Sequence, residues 1–152
     1  MILLSITIAG RIDYLPIYRH SFRVNKHFSP VTIGDRIKFY RFGKRMMQTE
    51  LAELTGIDVS TIKHYENTSS NYDLDKLSRI AEALDVNVEM LYDDYHRFLS
   101  SCYGIKVKAL RQSLGFTQAA FGERYSISAK TVKEWEHERV KVSRKTYERM
   151  FG

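Results

Sequence analysis

The sequence predicts an all-α protein with two small helical domains in tandem, preceded by a segment that is partly extended. The main observation is an internal repeat, because a segment that begins at Gln48 recurs without a gap at Gln118. In both copies apolar side chains recur at spacings of three and four residues, which is typical of short helices with one buried face. A chain of 152 residues is long enough for two such domains.

The opening segment, residues 2–9, is apolar and rich in β-branched side chains, which favours a strand or hook. It lacks the basic region that precedes the apolar core of a signal peptide, so we expect none. No apolar run reaches the roughly 20 residues needed to cross a membrane. The single cysteine, Cys102, excludes an internal disulfide and fits a reducing cytoplasm.

The first copy of the repeat predicts two helices joined by a tight turn. Leu51 and Ala52 follow Gln48 by three and four residues, so they form a buried stripe while Gln48 stays at the helix start. Gly56 ends this helix, because glycine readily adopts the left-handed backbone of a tight interhelical turn. Ile57 then packs in the core beneath the turn.

The second helix of the pair has a buried and an exposed face. Asp58 or Ser60 caps its start, and Ile62 and Tyr65, three residues apart, face inward. The outward positions are Val59, Ser60, Lys63 and His64. A short helix with an exposed polar face is the element that enters the DNA major groove in a helix-turn-helix motif.

The second copy repeats this pattern from Gln118 onward, with Trp135 predicted in the core. It departs from the first copy at Ser126, which stands where the first copy has its turn glycine. Met46 and Met47, just before the first copy, are expected to pack.

Between the copies, residues 95–102 are predicted as a helical linker capped by Asp93 or Asp94. Two interpretations stay open at this point. The helix either joins the domains stiffly or supplies a dimer contact, or else it packs on its own domain. Cys102 is expected to be packed rather than reactive.

The combined pattern resembles the lambda-repressor and Cro type of helix-turn-helix domain, also called the Xre family. The residues that carry the resemblance are Ile33, Gly34, Ile37, Arg41, Gln48, Glu50, Leu51, Ala52, Gly56, Ile57, Thr61, Ile62, Glu66, Asn67, Leu77, Ile80, Ala81, Ala83, Leu84, Val86 and Leu91. The resemblance implies four segments: an N-terminal extension 1–31, a first helix-turn-helix domain 32–94, the linker 95–102 and a shorter second domain 103–152.

The resemblance also implies sequence-specific binding of double-stranded DNA through the major groove. We expect a transcriptional regulator, a repressor, that acts as a homodimer on the nucleoid in the cytoplasm. Expected DNA-binding residues of the first copy are Gln48, Thr49, Val59, Ser60, Thr61, Lys63, His64 and Asn67. Those of the second copy are Gln118, Ser128, Ala129, Lys130, Thr131, Lys133, Glu134, Arg139 and Lys141.

These residues have different expected roles. Gln48 and Gln118 suit a base edge or a phosphate, because an amide donates and accepts together. Glu134 could accept from a cytosine amine, whereas Asn67 and Arg139 at the rim would contact phosphates, as would Lys141, Arg144 and Lys145. The outward residues of the two copies differ except at Lys63 and Lys133, so we expect the copies to read different half-sites.

Two acidic residues are expected to hold structure rather than do chemistry. These residues are Glu66 and Glu136. Their plausible partners are Arg41 and Arg111, which share the offset of the repeat. Phosphate contact is the alternative role for the two arginines.

The charge distribution fits a polyanionic partner, since the net charge is +6. Residues 101–152 carry eleven basic and five acidic side chains, whereas residues 67–100 carry three and seven and should point away from phosphate. The basic and aromatic arm before residue 31 has three interpretations. It is an extension packed on a domain or on a dimer mate, an arm in the minor groove, or a stretch that precedes a fold beginning near Thr32.

A second function class stays open, in which one copy is a protein-interaction module such as an antitoxin. The shorter second copy is the better candidate, although its basic excess is unlike a protein interface core. An enzyme is not expected, because the sequence has no nucleophile elbow, phosphate loop or Cys/His cluster. The histidines show no metal-binding spacing, and we expect no cofactor.

Overall fold

The N-terminal segment forms a two-stranded antiparallel hairpin. In this computed structural model, residues 3–8, 11–16, 30–68 and 71–152 are described, with side chains in the last two ranges. Strand β1 (Leu3–Ile8) pairs with β2 (Arg11–Pro16), so that Leu3 lies opposite Pro16 and Ile8 opposite Arg11. The strand expected at residues 2–9 therefore coincides with β1. The rest of the predicted arm, residues 17–29, lies outside the described residues.

Three helices follow the hairpin, and they contain the first copy of the repeat. They are α1 (Ile33–Gly43), α2 (Gln48–Thr55) and α3 (Val59–Asn67). Thr32 begins α1 with a capping box, because its hydroxyl accepts from the backbone of Asp35, whose carboxylate accepts from the backbone of Thr32. Helix α2 ends at Gly56, which has the predicted left-handed conformation with φ 61°.

The core beneath these helices contains the predicted apolar residues. Ile37, Leu51 and Ile62 are fully buried, and Ile57 and Tyr65 are nearly so. Helix α3 packs against both α1 and α2. Met47 is an exception to the predictions, since it is 66% exposed. It precedes α2 in an extended conformation, which turns its side chain away from the core.

The next elements are α4 (Leu74–Ala83), a 3-10 helix (Val88–Met90) and α5 (Asp94–Ser100). Asp93 caps α5 by accepting from the backbone N–H of His96 at 2.9 Å. Helix α5 ends before Cys102, which is exposed and immediately precedes the following helix. The prediction of a packed cysteine within a helical linker is therefore wrong.

The remaining helices carry the second copy. They are α6 (Tyr103–Ser113), α7 (Gln118–Tyr125), α8 (Ala129–Glu136) and α9 (Arg144–Phe151). Helices α6, α7 and α8 each begin 70 residues after α1, α2 and α3. Ser126 adopts the left-handed conformation of Gly56, with φ 59° and ψ 46°, so the turn survives the loss of the glycine. From residue 30 onward the described residues contain helices and no strand.

The described residues divide into two units, and each has its own buried residues. The first extends to Tyr72 and includes Arg79–Val86, whereas the second comprises Asp73–Ser78 and Asn87–Gly152. The second unit contains a largely aromatic core cluster, and the buried members of this cluster are Phe98, Tyr103, Val107, Phe121, Tyr125, Val132, Trp135, Val142 and Met150.

Candidate nucleic-acid interface

Helix α3 presents a polar face to solvent, as its spacing predicts. Ile62 and Tyr65 are buried, whereas Ser60, Lys63 and His64 are exposed. Val59 and Thr61 are half-buried, and Thr49 at the start of α2 is exposed. The outward residues therefore lie on a rigid helix that is anchored through its opposite face.

Helix α8 has the same two faces with a different set of outward side chains. Val132 and Trp135 are buried, and Ala129, Lys130 and Lys133 are exposed. Glu134 is half-buried and lies 3.7 Å from the guanidinium of Arg139, which is itself largely exposed. One acidic group on this face is thus paired with a cation of its own chain.

Side-chain caps fix the start of both outward-facing helices. Asp58 accepts from the backbone N–H of Ser60 at 2.7 Å, and hydrogen bonds from Ser60 hold the pKa of Asp58 below its usual value. In α8, Ser128 accepts from the backbone N–H of Thr131 at 3.1 Å, and the hydroxyls of Ser128 and Thr131 are 2.9 Å apart. The structure thus gives Ser128 and Thr131 a capping role beside the DNA contact that the sequence predicted.

A network of three side chains ties α1, α2 and α3 together. Arg41 donates from Nε and Nη2 to the two carboxylate oxygens of Glu66, at 2.6 and 2.7 Å, and from Nη1 to the carbonyl oxygen of Met46 at 2.7 Å. Gln48 donates from Nε2 to Glu66 at 2.8 Å. Arg41 and Glu66 are both buried, so the pair is a charge-assisted, bidentate contact shielded from water.

The second copy contains the same network at the same offset. Arg111 donates to the two carboxylate oxygens of Glu136 at 2.6 and 3.2 Å, and to the carbonyl oxygen of Phe116 at 2.8 Å. Gln118 donates to Glu136 at 3.0 Å. The expected pairing of each arginine with its glutamate is therefore confirmed in both copies.

The electrostatics of the second network follow from its geometry. Burial alone would raise the pKa of Glu136, but the hydrogen bonds from Arg111 and Gln118 outweigh burial and lower it. The hydrogen bonds that Arg111 donates to this carboxylate also raise the pKa of Arg111. Glu136 is therefore a fixed anion, which suits a structural acid and not a proton-transfer group.

Both glutamines that begin the second helix of each copy are half-buried and engaged with a carboxylate. Since Nε2 donates to the glutamate, the amide oxygen of Gln48 and of Gln118 is directed away from that carboxylate. The network thus fixes the orientation of an acceptor and a further N–H at the start of α2 and α7. The sequence placed both residues at the helix start but did not reveal this partner.

Two glycines let the first helix of each copy approach the outward-facing helix. A Cβ atom on Gly34 would lie 2.5 Å from the carbonyl oxygen of Tyr65, and one on Gly104 would lie 2.6 Å from that of Glu136. These positions are again 70 residues apart. Close backbone contact, together with the ion pair, therefore sets the position of α3 on α1 and of α8 on α6.

The rim residues are less free than the sequence suggested. Asn67 accepts from Lys38 at 3.0 Å and donates to the carbonyl oxygen of Lys63 at 2.8 Å. Lys38 was not identified from the sequence, and its place one turn before Arg41 on α1 is the signal that could have indicated it. Arg144 donates to Asp93 at 2.8 Å, whereas Lys141 is exposed.

Within the described residues, no group of three or more His, Cys, Asp or Glu side chains is placed to hold a metal ion. No helix in the same part of the chain is long and apolar enough to span a bilayer.

Residues 41–91 match the helix-turn-helix protein family. The chain is also similar to the HTH-type transcriptional regulator SinR of Bacillus subtilis (strain 168), with 38% identity over 65 residues. That alignment covers 42% of this chain and 59% of the relative, so the chain spans about three fifths of the curated relative's length. No solved structure gives a significant match. Residues 41–91, which include the network of Arg41, Gln48 and Glu66, therefore form a helix-turn-helix domain.

Proposed function

We propose that this protein is a sequence-specific regulator of transcription that binds double-stranded DNA through the outward faces of α3 and α8. The observation that carries the proposal is the repeated network, in which an arginine, a glutamine and a glutamate hold each outward-facing helix on its two partner helices. Because the helices are rigid and their polar faces are exposed, each can enter a major groove without reorganising. The match of residues 41–91 to the helix-turn-helix family and the 65-residue similarity to a transcriptional regulator support the same function.

The charge of each face supports DNA as the partner. In α3 the outward residues include one lysine and one histidine, and in α8 they include two lysines. Exposed cations near a groove-entering helix supply affinity by releasing counterions from phosphate. Residues 101–152 carry a net charge of +6, so the second unit should provide most of this electrostatic affinity.

The identity of the outward side chains indicates that the two helices read different sequences. Ser60, Lys63 and His64 in α3 correspond to Lys130, Lys133 and Glu134 in α8. Lysine suits the acceptors of guanine, and glutamate suits the cytosine amine. Because Glu134 is held near Arg139, its carboxylate would approach a base edge with a cation beside it. We infer that a site for one chain contains two dissimilar half-sites.

Selection of bound duplexes from a random pool tests this proposal, with the full chain and with two variants as protein. One variant replaces Ser60, Lys63 and His64 with alanine, and the other replaces Lys130, Lys133 and Glu134 with alanine. We expect the wild type to enrich a composite motif and each variant to lose a different part of it. A palindromic motif would indicate that the protein binds as a homodimer. We propose that the consequence of binding is repression of a nearby promoter. No enriched motif would refute sequence-specific recognition.

A second candidate is a protein partner that binds the second unit, as in an antitoxin. Apolar side chains available to such a partner include Ile105, which is 69% exposed, and Val140, which is 48% exposed. The salt dependence of DNA binding separates the two functions. If Lys130 and Lys133 contact phosphate as well as base edges, replacing both with alanine lowers the salt slope by about two units, because each lost phosphate contact removes about one. An unchanged slope would show that these two lysines contact no phosphate and would favour the protein partner over DNA for this face of the second unit.

A further inference from the structure

The outward stripe of α8 continues at His137, the residue that caps the end of the helix and that was not among the predicted DNA contacts. Lys130, Lys133 and His137 are separated by three and four residues, so they lie on the same helical face, and all three are exposed. The matching positions of α3, 70 residues earlier, are Ser60, Lys63 and Asn67. His137 therefore occupies in the second copy the rim position that Asn67 occupies in the first.

The equivalence extends to a hydrogen bond. Asn67 donates from Nδ2 to the carbonyl oxygen of Lys63 at 2.8 Å, and Nδ1 of His137 lies 2.7 Å from the carbonyl oxygen of Lys133. A carbonyl oxygen only accepts, so Nδ1 of His137 carries a hydrogen. Nε2 is then the nitrogen that takes up the second proton. Unlike the amide of Asn67, an imidazole can hold a hydrogen on both nitrogens and then carries a positive charge.

The carboxylates next to His137 all have other partners. Glu134 lies beside Arg139, Glu136 accepts from Arg111 and Gln118, and Glu138 accepts from the backbone N–H of Gly104 at 2.9 Å. Within the described residues, no carboxylate oxygen lies within ion-pair distance of His137. A proton on this imidazole therefore has no internal anion to neutralise it.

The charged side chains on the helices that pack against α8 are mostly positive. Helices α6 and α7 pack against α8, and their charged side chains are Lys106, Lys108, Arg111, Glu123 and Arg124. Lys133 lies one turn earlier on the same face, and Arg139 and Lys141 follow. The C-terminal end of α8 stabilises a cation through the helix dipole, which opposes the repulsion by these lysines and arginines. A DNA phosphate at this rim would supply the missing counter-charge.

Resting on the proposed function, we propose that His137 is a phosphate contact of the second unit and that its protonation makes DNA binding pH-dependent. In its neutral form the ring caps the carbonyl oxygen of Lys133 and offers no charge. In its protonated form Nε2 donates to a phosphate oxygen while Nδ1 keeps its bond to the helix. The first copy, with Asn67 in this position, lacks a titrating group there.

The test uses the full chain and a duplex selected for binding, with affinity measured by fluorescence anisotropy at about pH 6 and about pH 8 over a series of salt concentrations. We expect the wild type to bind several-fold more tightly at the lower pH, with a salt slope steeper by about one unit. His137→Asn should remove both differences, because asparagine keeps the bond to Lys133 as Asn67 does to Lys63. His137→Arg should bind at both pH values as the wild type binds at the lower one.

Lys76→Ala is the control, since Lys76 lies on α4 within the acidic stretch of residues 67–100 and outside both proposed DNA-binding faces. This variant should keep the difference in affinity between the two pH values. If His137→Asn keeps the full pH dependence, or if Lys76→Ala abolishes it, the assignment of His137 is wrong although DNA binding stands. If the wild type binds no duplex at either pH, the proposed function itself fails.

Discussion

Arg41 and Glu66 are joined by two parallel hydrogen bonds, of 2.6 and 2.7 Å, between the first and third helices of the helix-turn-helix domain. Both side chains are almost completely buried, at 6% and 0% exposure. The pair orients the helix whose outer face is proposed to contact DNA. Its counterpart, Arg111 with Glu136, has one longer bond of 3.2 Å and is more exposed.

Replacing Arg41 with methionine should destabilise the first unit by about 3–5 kcal/mol, because Glu66 would remain buried without its counter-charge. Arg111→Met should cost less, since water reaches the second pair more readily. Urea unfolding followed by circular dichroism measures both losses. Arg97→Met is the control, because Arg97 and Glu89 are about half exposed and 3.7 Å apart, and its effect should stay below about 1 kcal/mol. Equal losses for Arg41→Met and Arg97→Met would contradict the assigned role of the buried pair.

Gly34→Ala and Gly104→Ala should each destabilise the chain by about 1–3 kcal/mol, because the added methyl group would meet a backbone carbonyl oxygen of the outward-facing helix. Gly115→Ala separates this clash from backbone strain. Gly115 has a positive φ of 69°, but a Cβ there would meet no atom within 4 Å. Thermal unfolding of the three variants tests the prediction. Losses at Gly34 and Gly104 no larger than the loss at Gly115 would show that helix proximity is not limiting.

Ser126→Gly should stabilise the second unit by about 0.5–1 kcal/mol, since a non-glycine residue pays for the left-handed conformation that Ser126 adopts. The reciprocal change, Gly56→Ser, should destabilise the first unit by a similar or larger amount, because a Cβ at Gly56 would also lie 3.0 Å from Arg79. Trp135 is the single tryptophan and lies in the core of the second unit, so its fluorescence in urea reports the Ser126 variant directly. A lower unfolding midpoint for Ser126→Gly would contradict the argument from backbone strain.

The second unit should lose stability in acid through Asp93. Burial alone would raise the pKa of Asp93, but hydrogen bonds from His96 and Arg144 outweigh it and hold the pKa well below its usual value of 3.8. An acid whose pKa is lowered by folding contributes stability that is present above its unfolded pKa and lost as the pH falls through the folded value. Wild-type stability should therefore fall as the pH drops below about 4.

Asp93→Asn should weaken this acid dependence, because asparagine can still cap α5 but carries no charge. The exposed neighbour supplies the control, since the side chain of Asp94 is 86% exposed and Asp94→Asn should leave the acid dependence as it is. Trp135 fluorescence in urea at several pH values measures the effect. Identical acid profiles for Asp93→Asn and the wild type would rule out the role given to Asp93.

The sequence was sufficient to predict the helices, because the repeat shows the same pattern of buried and exposed positions twice. Gln48 and Gln118 begin helices at the predicted offset, and Ile62, Tyr65 and Trp135 are buried as their spacing requires. Local periodicity decides these features. The shared offset of the repeat also identified Arg41 and Glu66 correctly as partners.

Side-chain partners drawn from three different helices were less accessible to sequence reasoning. The bond from Gln48 to Glu66 and the bond from Lys38 to Asn67 depend on how helices pack, which periodicity does not specify. Exposure at element ends was also mispredicted, because Met47 and Cys102 lie just before helices, where one backbone torsion decides the direction of a side chain. The DNA contacts of the outward residues of α3 and α8 stay predictions.

The most direct test of the proposed DNA-binding faces is the salt-controlled affinity of Lys63→Ala and Lys133→Ala for a selected duplex. Lys76→Ala is the control, since Lys76 lies on α4 within the acidic stretch of residues 67–100. We predict that each of the first two variants loses about 1–3 kcal/mol of binding free energy, or lowers the salt slope by about one unit, while Lys76→Ala matches the wild type. Wild-type affinity and salt slope in both Lys63→Ala and Lys133→Ala would contradict the account.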